Sequence, residues 1–205
     1  MYKNKILLAI AAMVLFVVSA TPANAQLGRR WYIDAGWQFN MAMSEMVSGS
    51  GQGWGAYAEA GGYVLPQLAV GGFVSYGTNN KYFHKKTFVA SDGSALTSDY
   101  TNSLYQIPFG ATLRYRFTRT KLQPYVEARI GAEYSQQSTY MATFRVTDSN
   151  WGFYVSPEIG LTWHPFRKTN FGFQLAVYYA HATNRSKVYS MDGIDNLGFR
   201  LGLSF

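Results

Sequence analysis

The chain has 205 residues, with 18 Lys and Arg against 11 Asp and Glu and no cysteine, which gives a formal net charge of +7. Hydrophobic residues make up 48% and aromatic residues 17%, which excludes an intrinsically disordered chain, because such chains are poor in both. The lack of cysteine excludes a disulfide-built scaffold, a lipid-anchored lipoprotein, and any zinc or iron–sulfur site with cysteine ligands.

The first 25 residues have the pattern of a secretory signal peptide. Lys3 and Lys5 precede an apolar run from Ile6 to Val18, and Ala23-Asn24-Ala25 offers the small residues of a cleavage site. The apolar run is shorter than the roughly 20 residues that a transmembrane helix needs. We therefore expect residues 1–25 to be removed and residues 26–205 to form one domain. Loss of the two lysines lowers the formal charge from +7 to +5.

Apolar and polar residues alternate in eight segments of the remaining chain. In the first segment the odd positions are apolar, while the even positions include Asp34, Gln38 and Asn40. A period of two is typical of β-strands, because successive side chains point to opposite faces. The predicted strands are Trp31–Met41, Trp54–Val64, Leu68–Tyr76, Tyr105–Phe117, Val126–Tyr134, Phe153–Trp163, Phe171–Tyr179 and Leu197–Phe205. No segment has a convincing helical period, so the sequence predicts an all-β fold.

Aromatic residues bound the apolar face of these strands at both ends. Trp54 and Trp151 fall at one end. The other end carries Trp31, Tyr115, Phe117, Trp163, Phe171 and Phe205. Two aromatic girdles around an apolar belt are typical of transmembrane β-barrels, in which the apolar face contacts lipid.

The connections between the predicted strands alternate in length. The long ones are Ala42–Gly53, Gly77–Leu104, Ser135–Gly152 and Ala180–Asn196, and the short ones are Leu65–Gln67, Thr118–Tyr125 and His164–Asn170. Long extracellular loops and short periplasmic turns are the pattern of outer-membrane barrels. The sequence therefore predicts an eight-stranded antiparallel transmembrane β-barrel in a bacterial outer membrane.

The end of the chain carries a family resemblance. Residues 199–205, Phe-Arg-Leu-Gly-Leu-Ser-Phe, form an alternating strand that ends in Phe205. This segment and the overall pattern resemble small bacterial outer-membrane β-barrel proteins of the OmpA/OmpX/OmpW-like group. The resemblance implies that Phe205 is part of an assembly signal recognised by the barrel-assembly machinery, and that outer-membrane lipids and lipopolysaccharide surround the barrel.

The alternation places charged residues of both signs in the predicted lumen. These residues are Asp34, Glu59, Arg114, Arg116, Glu127, Arg129, Glu133, Glu158 and Arg200. The interior of an eight-stranded barrel is about filled by its side chains, and buried charges require partners. We therefore predict a structural ion-pair network that plugs the lumen. The alternatives are a gated small-solute channel and proton chemistry on a paired carboxylate.

The predicted Gly77–Leu104 loop contains a basic segment, in which aromatic residues are interleaved with Lys81, His84, Lys85 and Lys86. Clustered basic residues attract anions, so this segment could bind lipopolysaccharide phosphates or a host polyanion. The alternative is a solvated loop whose charges aid solubility. A nucleic-acid partner is not expected for a membrane barrel.

One group of residues near the last predicted hairpin could be catalytic. His181, Thr183 and Asp195 share the parity of the lipid-facing positions on adjacent strands, which would bring them together outside the barrel near the outer leaflet. A hydroxyl, an imidazole and a carboxylate are the parts of a nucleophile–base–orienter triad.

The same segment resembles the outer-membrane lipid A 3-O-deacylase family, which carries His-x-Ser-Asn before the hairpin loop and an acidic residue after it. The resemblance implies that Thr183 is the nucleophile, His181 the base, Asp195 its orienter and Asn184 an oxyanion donor. This chain has Thr where the family has Ser and Asp where it has Glu, and the added methyl group of Thr restricts its side chain.

The leading prediction is a non-enzymatic outer-membrane barrel that has a structural role or binds a ligand through its extracellular loops. A lipid A deacylase and a small-solute channel are the alternatives. No metal and no cofactor are expected.

Overall fold

Eight antiparallel strands form a closed barrel, in which each strand pairs with its neighbours in the chain and β1 also pairs with β8. The computed structural model describes residues 30–43, 52–89, 95–141, 144–166, 170–186, 189 and 191–205, so the predicted leader lies outside the described residues. The strands are β1 (Trp31–Ala42), β2 (Gln52–Tyr63), β3 (Leu68–Val89), β4 (Ala95–Arg116), β5 (Leu122–Met141), β6 (Phe144–Trp163), β7 (Gly172–Ala182) and β8 (Ile194–Ser204). The predicted eight-stranded fold is confirmed.

The strands separate an apolar outer face from a polar lumen. On β1, Trp37 is 67% exposed on the outer face, while Asp34 is completely buried on the lumen side. At the outer end, the rings of Tyr134 and Trp151 lie 5.2 Å apart, and we take their row as the upper limit of the membrane-spanning part. In the part of the chain that the structure describes, no helix is long and apolar enough to span a membrane.

Four strands are much longer than the sequence predicts. Strands β3 to β6 have 20 to 22 residues each, so most of the predicted loops Gly77–Leu104 and Ser135–Gly152 is strand. The loop prediction is wrong here because both faces of these extensions lie outside lipid, where strands need no apolar alternation. Paired polar residues are found there instead of the alternation. Asn102, for example, lies opposite Thr139, and the Thr139 hydroxyl donates to the Asn102 amide oxygen at 2.8 Å.

These extensions form a four-stranded sheet beyond the membrane, which we call the extracellular wall. It consists of residues 80–89, 95–103, 138–141 and 144–147. The pairing of β2 with β3 ends at Asn79, and the pairing of β6 with β7 ends at Tyr154, so the wall rises on one side of the barrel.

Candidate functional site

Arg114 on β4 contacts three carboxylates in the periplasmic half of the lumen. Its Nη1 donates to Asp34 Oδ2 at 2.5 Å, and its Nη2 donates to Glu59 Oε1 at 3.1 Å. Its Nε donates to Glu127 Oε2 at 2.5 Å. These residues come from four different strands, and all of their side chains are buried. Arg114 therefore ties together strands that are far apart in the chain.

Two further arginines extend this cluster across the lumen. Arg129 Nε lies 2.6 Å from Glu127 Oε1, and its Nη2 lies 2.5 Å from Glu59 Oε2 and 3.5 Å from Glu158 Oε2. Arg200 Nη1 in turn donates to Glu158. Four carboxylates and three guanidinium groups are thus joined, and we call them the lumen network. Its members are Asp34, Glu59, Arg114, Glu127, Arg129, Glu158 and Arg200.

Buried tyrosines complete the lumen network, although the sequence prediction named only charged residues. The Tyr32 hydroxyl donates to Glu59 at 2.5 Å, and the Tyr125 hydroxyl donates to Glu158 at 2.7 Å. The signal for them was present in the sequence. Each tyrosine lies two residues from a lumen-facing carboxylate on its own strand and therefore shares its parity.

Two of the predicted lumen charges lie apart from this network. Arg116 is at the periplasmic mouth, where its guanidinium stacks on the Tyr63 ring at 3.6 Å and donates to the Pro66 carbonyl. Glu133 is buried towards the outer end and accepts a hydrogen bond from Gln106 Nε2 at 3.1 Å. Both residues occupy lumen-facing positions of the alternation, but they lie at different heights along the barrel from the other charges.

A cluster of buried apolar and aromatic side chains lies in the lumen. It contains the buried side chains of Ala42, Phe73, Leu104, Tyr154, Tyr178, Ala180, Ala182, Met191 and Ile194. Phe73 and Tyr178 are the register partners of Glu59 and Glu158, so this cluster begins at the level of the lumen network and extends towards the outer end. Among the described residues, no group of three His, Cys, Asp or Glu side chains could hold a metal ion.

Outside the barrel, the structure brings together two members of the predicted triad. His181 Nδ1 lies 2.8 Å from Asp195 Oδ1, and the two residues are direct partners in the β7–β8 register. The Tyr179 hydroxyl also donates to Asp195 Oδ1, at 2.6 Å. Asp195 thus holds the imidazole through Nδ1, which leaves Nε2 directed away from the carboxylate, as a general base requires.

The other two predicted members are placed differently. Thr183 is exposed, and its Oγ1 accepts a hydrogen bond from the Phe153 backbone N–H at 2.9 Å, with no hydrogen bond to His181 among the described residues. Asn184 is buried in the lumen, where its Nδ2 donates to Ser135 Oγ at 2.8 Å and to backbone carbonyls. Because the Asn184 side chain is buried in the lumen and Thr183 is exposed, the structure places Asn184 away from the predicted catalytic site.

An apolar groove of about 380 Å³ lies on the lipid-facing surface just below His181 and Asp195. Leu197 in this groove is the register partner of Tyr179, one row of outward-facing residues below the His181–Asp195 pair. The groove is lined by Phe39, Asn40, Met41, Gly53, Val177, Leu197, Gly198 and Phe199. Its size is within the range of small-molecule sites, and its lining suits hydrocarbon.

The predicted basic loop is part of strand β3 instead. Lys81 lies 4.9 Å from the Phe83 ring centroid, while His84 Nδ1 lies 3.3 Å from Asp99 Oδ1. The side chains of Lys85 and Lys86 lie outside the described part of the structure. Because side chains alternate along a strand, Lys81 and His84 belong to opposite faces and do not form a single cluster.

Solved structures with a similar fold are outer-membrane proteins. Neisserial surface protein A (NspA) is 19% identical, with a TM-score of 0.52 over 85% of this chain and 95% of that chain. Ail of Yersinia pestis, solved with the heparin analogue sucrose octasulfate, is 15% identical, with a TM-score of 0.49 over 85% and 97%. The outer membrane protease OmpT of Escherichia coli is 12% identical, with a TM-score of 0.49 over 86% and 78%.

The NspA likeness shows the fold alone. The comparison with curated proteins finds no match. The family model described as "Outer membrane protein beta-barrel domain" matches residues 9–205. This match, together with the closed eight-stranded ring, implies location in the bacterial outer membrane. The chain belongs to the outer membrane protein β-barrel domain family.

Proposed function

We propose that this protein is a closed barrel that acts through its outer surface and its extracellular strands and conducts no solutes through its lumen. The observation that carries the proposal is the burial of all seven lumen-network side chains with their opposite charges in contact. Leaving one charge of a buried ion pair without its partner costs about 3–5 kcal/mol, so the lumen network strongly favours the closed, paired arrangement. Buried apolar and aromatic side chains fill further space in the lumen.

Planar-bilayer recording tests the closed lumen. Folded protein, identified by its heat-modifiable migration in gels, is expected to give no steady unitary currents, while an open porin in the same bilayer does. Steady unitary currents from the folded protein would contradict the proposal and favour the small-solute channel.

The proposal includes export and assembly. Residues 1–25 act as the cleaved leader, residues 26–205 form the barrel, and Phe205 is read by the barrel-assembly machinery. Phe205 also closes the barrel, since its N–H and carbonyl pair with the carbonyl and N–H of Ile33 at 2.9 and 3.1 Å. Phe205→Ala keeps these backbone bonds, so we expect lower assembly in cells but unchanged refolding of purified protein. Leu201→Ala, also lipid-facing, is the control, and equal loss in both variants would refute a signalling role.

A second candidate function is ester hydrolysis of an outer-leaflet lipid such as lipid A. The observation that favours it is the 2.8 Å contact of His181 with Asp195 directly above the apolar groove. In this reaction the Thr183 hydroxyl adds to the ester carbonyl and gives its proton to His181 Nε2. The alcohol then leaves with that proton, and water hydrolyses the acyl–enzyme to release the fatty acid. Thr183 first has to give up the hydrogen bond from Phe153.

Fatty-acid release from purified lipid A tests this candidate. Wild-type protein is expected to release fatty acid, and His181→Ala and Thr183→Ala are expected to stop the release, while Thr183→Ser keeps the hydroxyl and the activity. No release by folded wild-type protein would refute the hydrolase function. Release that persists in Thr183→Ala would refute Thr183 as the nucleophile.

A further inference from the structure

We propose that the outward face of the extracellular wall binds the saccharide part of the lipopolysaccharide in the surrounding leaflet. This inference rests on the proposed function, namely a closed barrel that works through its extracellular strands, and it names a ligand class and a site for it. The outward face is the one that continues the lipid-facing surface upwards, so lateral neighbours of the barrel meet it without any rearrangement.

One row of side chains crosses the outward face of the wall. The register pairs Tyr82 with Thr101, Thr101 with Tyr140, and Tyr140 with Arg145, which takes the row across strands β3 to β6. Directly paired residues of antiparallel strands lie on the same face. Tyr82 is 60% exposed and Tyr140 is 38% exposed, and the Arg145 guanidinium lies 5.0 Å from the Tyr140 ring centroid. The row therefore offers two aromatic rings with a cation at one end.

Polar groups lie directly above and below the rings. Above, Asp99 accepts from the Tyr82 hydroxyl at 2.7 Å and contacts His84 Nδ1 at 3.3 Å. Below, the hydroxyl of the exposed Thr147 lies 3.2 Å from the hydroxyl of Ser138, which is itself buried. Aromatic rings flanked by hydroxyl, carboxylate and guanidinium groups match the chemistry of a sugar, which has apolar C–H faces and a rim of hydroxyls. The guanidinium suits the phosphate and carboxylate groups that core sugars carry.

The height of the row identifies which part of the lipid it meets. Six residues separate Trp151, in the outer aromatic girdle, from Arg145, which is about 20 Å along the strand. A strand tilt of about 40° reduces this to about 15 Å of height above the girdle, which itself lies at the level of the headgroups. Acyl chains and lipid A phosphates are below this level in a lipopolysaccharide leaflet. The sugars of the core are at this level.

The test compares lipopolysaccharide that has its complete core with purified lipid A, which has no core sugars. Each is titrated against the folded full-length protein in detergent. Wild-type protein is expected to bind complete lipopolysaccharide about tenfold more tightly than lipid A, which corresponds to about 1.4 kcal/mol. The double substitution Tyr82→Ser and Tyr140→Ser should abolish that preference, and Tyr115→Ser, an exposed tyrosine at the periplasmic end, should keep it.

A second variant distinguishes the contribution of the cation to binding from that of the rings. Arg145→Gln is expected to lower the preference for phosphorylated core over dephosphorylated core while it keeps the preference for core over lipid A. Equal wild-type affinity for the two lipids, or a preference that the double tyrosine variant retains, would overturn the inference. Neither result bears on the bilayer recordings, so a failure here leaves the closed-lumen proposal standing.

Discussion

Replacing Arg114 by Met should destabilise the barrel mainly by leaving one carboxylate without a charged partner. Met is similar in length and removes the guanidinium that touches Asp34, Glu59 and Glu127. Glu59 and Glu127 keep their contacts with Arg129 at 2.5 and 2.6 Å. Asp34 has its salt bridge to Arg114 as its one ion pair among the described residues, and its Oδ1 already has no hydrogen-bond partner there.

The expected loss of stability follows from the fact that, of these three carboxylates in the described structure, Asp34 alone loses its charged partner. Removing one partner of a buried ion pair costs about 3–5 kcal/mol, mostly because the remaining charge is buried without compensation. The free energy of unfolding of Arg114→Met should therefore fall by that amount, a large share of the roughly 5–15 kcal/mol of a typical domain. Adding Asp34→Asn removes the uncompensated charge, so the double variant should regain about 1–3 kcal/mol, a coupling that neighbouring residues commonly show.

Urea unfolding of the refolded protein in lipid vesicles measures these changes. Arg116→Met is the matched control, because Arg116 is an arginine on the same strand that stacks on Tyr63 and donates to a backbone carbonyl. It has no ion pair within the described part of the chain. We expect it to lose about 1 kcal/mol, the value of an ordinary hydrogen bond. Equal losses in Arg114→Met and Arg116→Met, or a further loss on adding Asp34→Asn, would refute the reasoning.

Two further predictions concern the lumen packing and the wall. Gly160→Ala should lower the free energy of unfolding by about 1–3 kcal/mol, because the added Cβ would lie 2.3 Å from the Tyr125 ring. Gly72→Ala is the control, since the nearest atom to its added Cβ is 3.4 Å away, and it should change the free energy of unfolding by less than about 0.5 kcal/mol. A similar loss in both variants of this urea experiment would contradict this. The hydrogen bond to Asp99 raises the pKa of Tyr82, so Asp99→Asn should lower the pKa towards its ordinary value. NMR titration of ring-labelled tyrosine, assigned with Tyr82→Phe, measures this pKa, and an unchanged value would exclude the hydrogen bond as its cause.

The membrane-spanning part of the fold could be predicted from the sequence because lipid and lumen demand opposite chemistry on the two faces of each strand. Trp37 and Asp34 on β1 show the contrast that makes a period of two visible. Above the membrane this contrast disappears. Residues such as Asn102 and Thr139 are polar and paired within strands, so the sequence gives no period and the extensions resemble loops.

The sequence could predict which face of a strand each candidate site residue occupies, but not which side chains it contacts. Parity assigns Glu133 to the lumen, but parity contains no information on height, so it could not separate Glu133 from the charges below it. The position of Asn184 could not be predicted from the alternation, because Asn184 lies beyond the end of β7, where it is buried in the lumen.

Along β4, from the extracellular wall to the periplasmic mouth, odd-numbered residues face outward and even-numbered residues face inward. Thr101 and Leu113 lie on the outward side, and Asn102 and Arg114 lie on the inward side, twelve residues apart in each case. Insertion or deletion of one residue within this strand would move Arg114 into lipid or disturb the wall. Changes of length during evolution should therefore be confined to the hairpin connections, and substitutions should account for nearly all divergence within the strands.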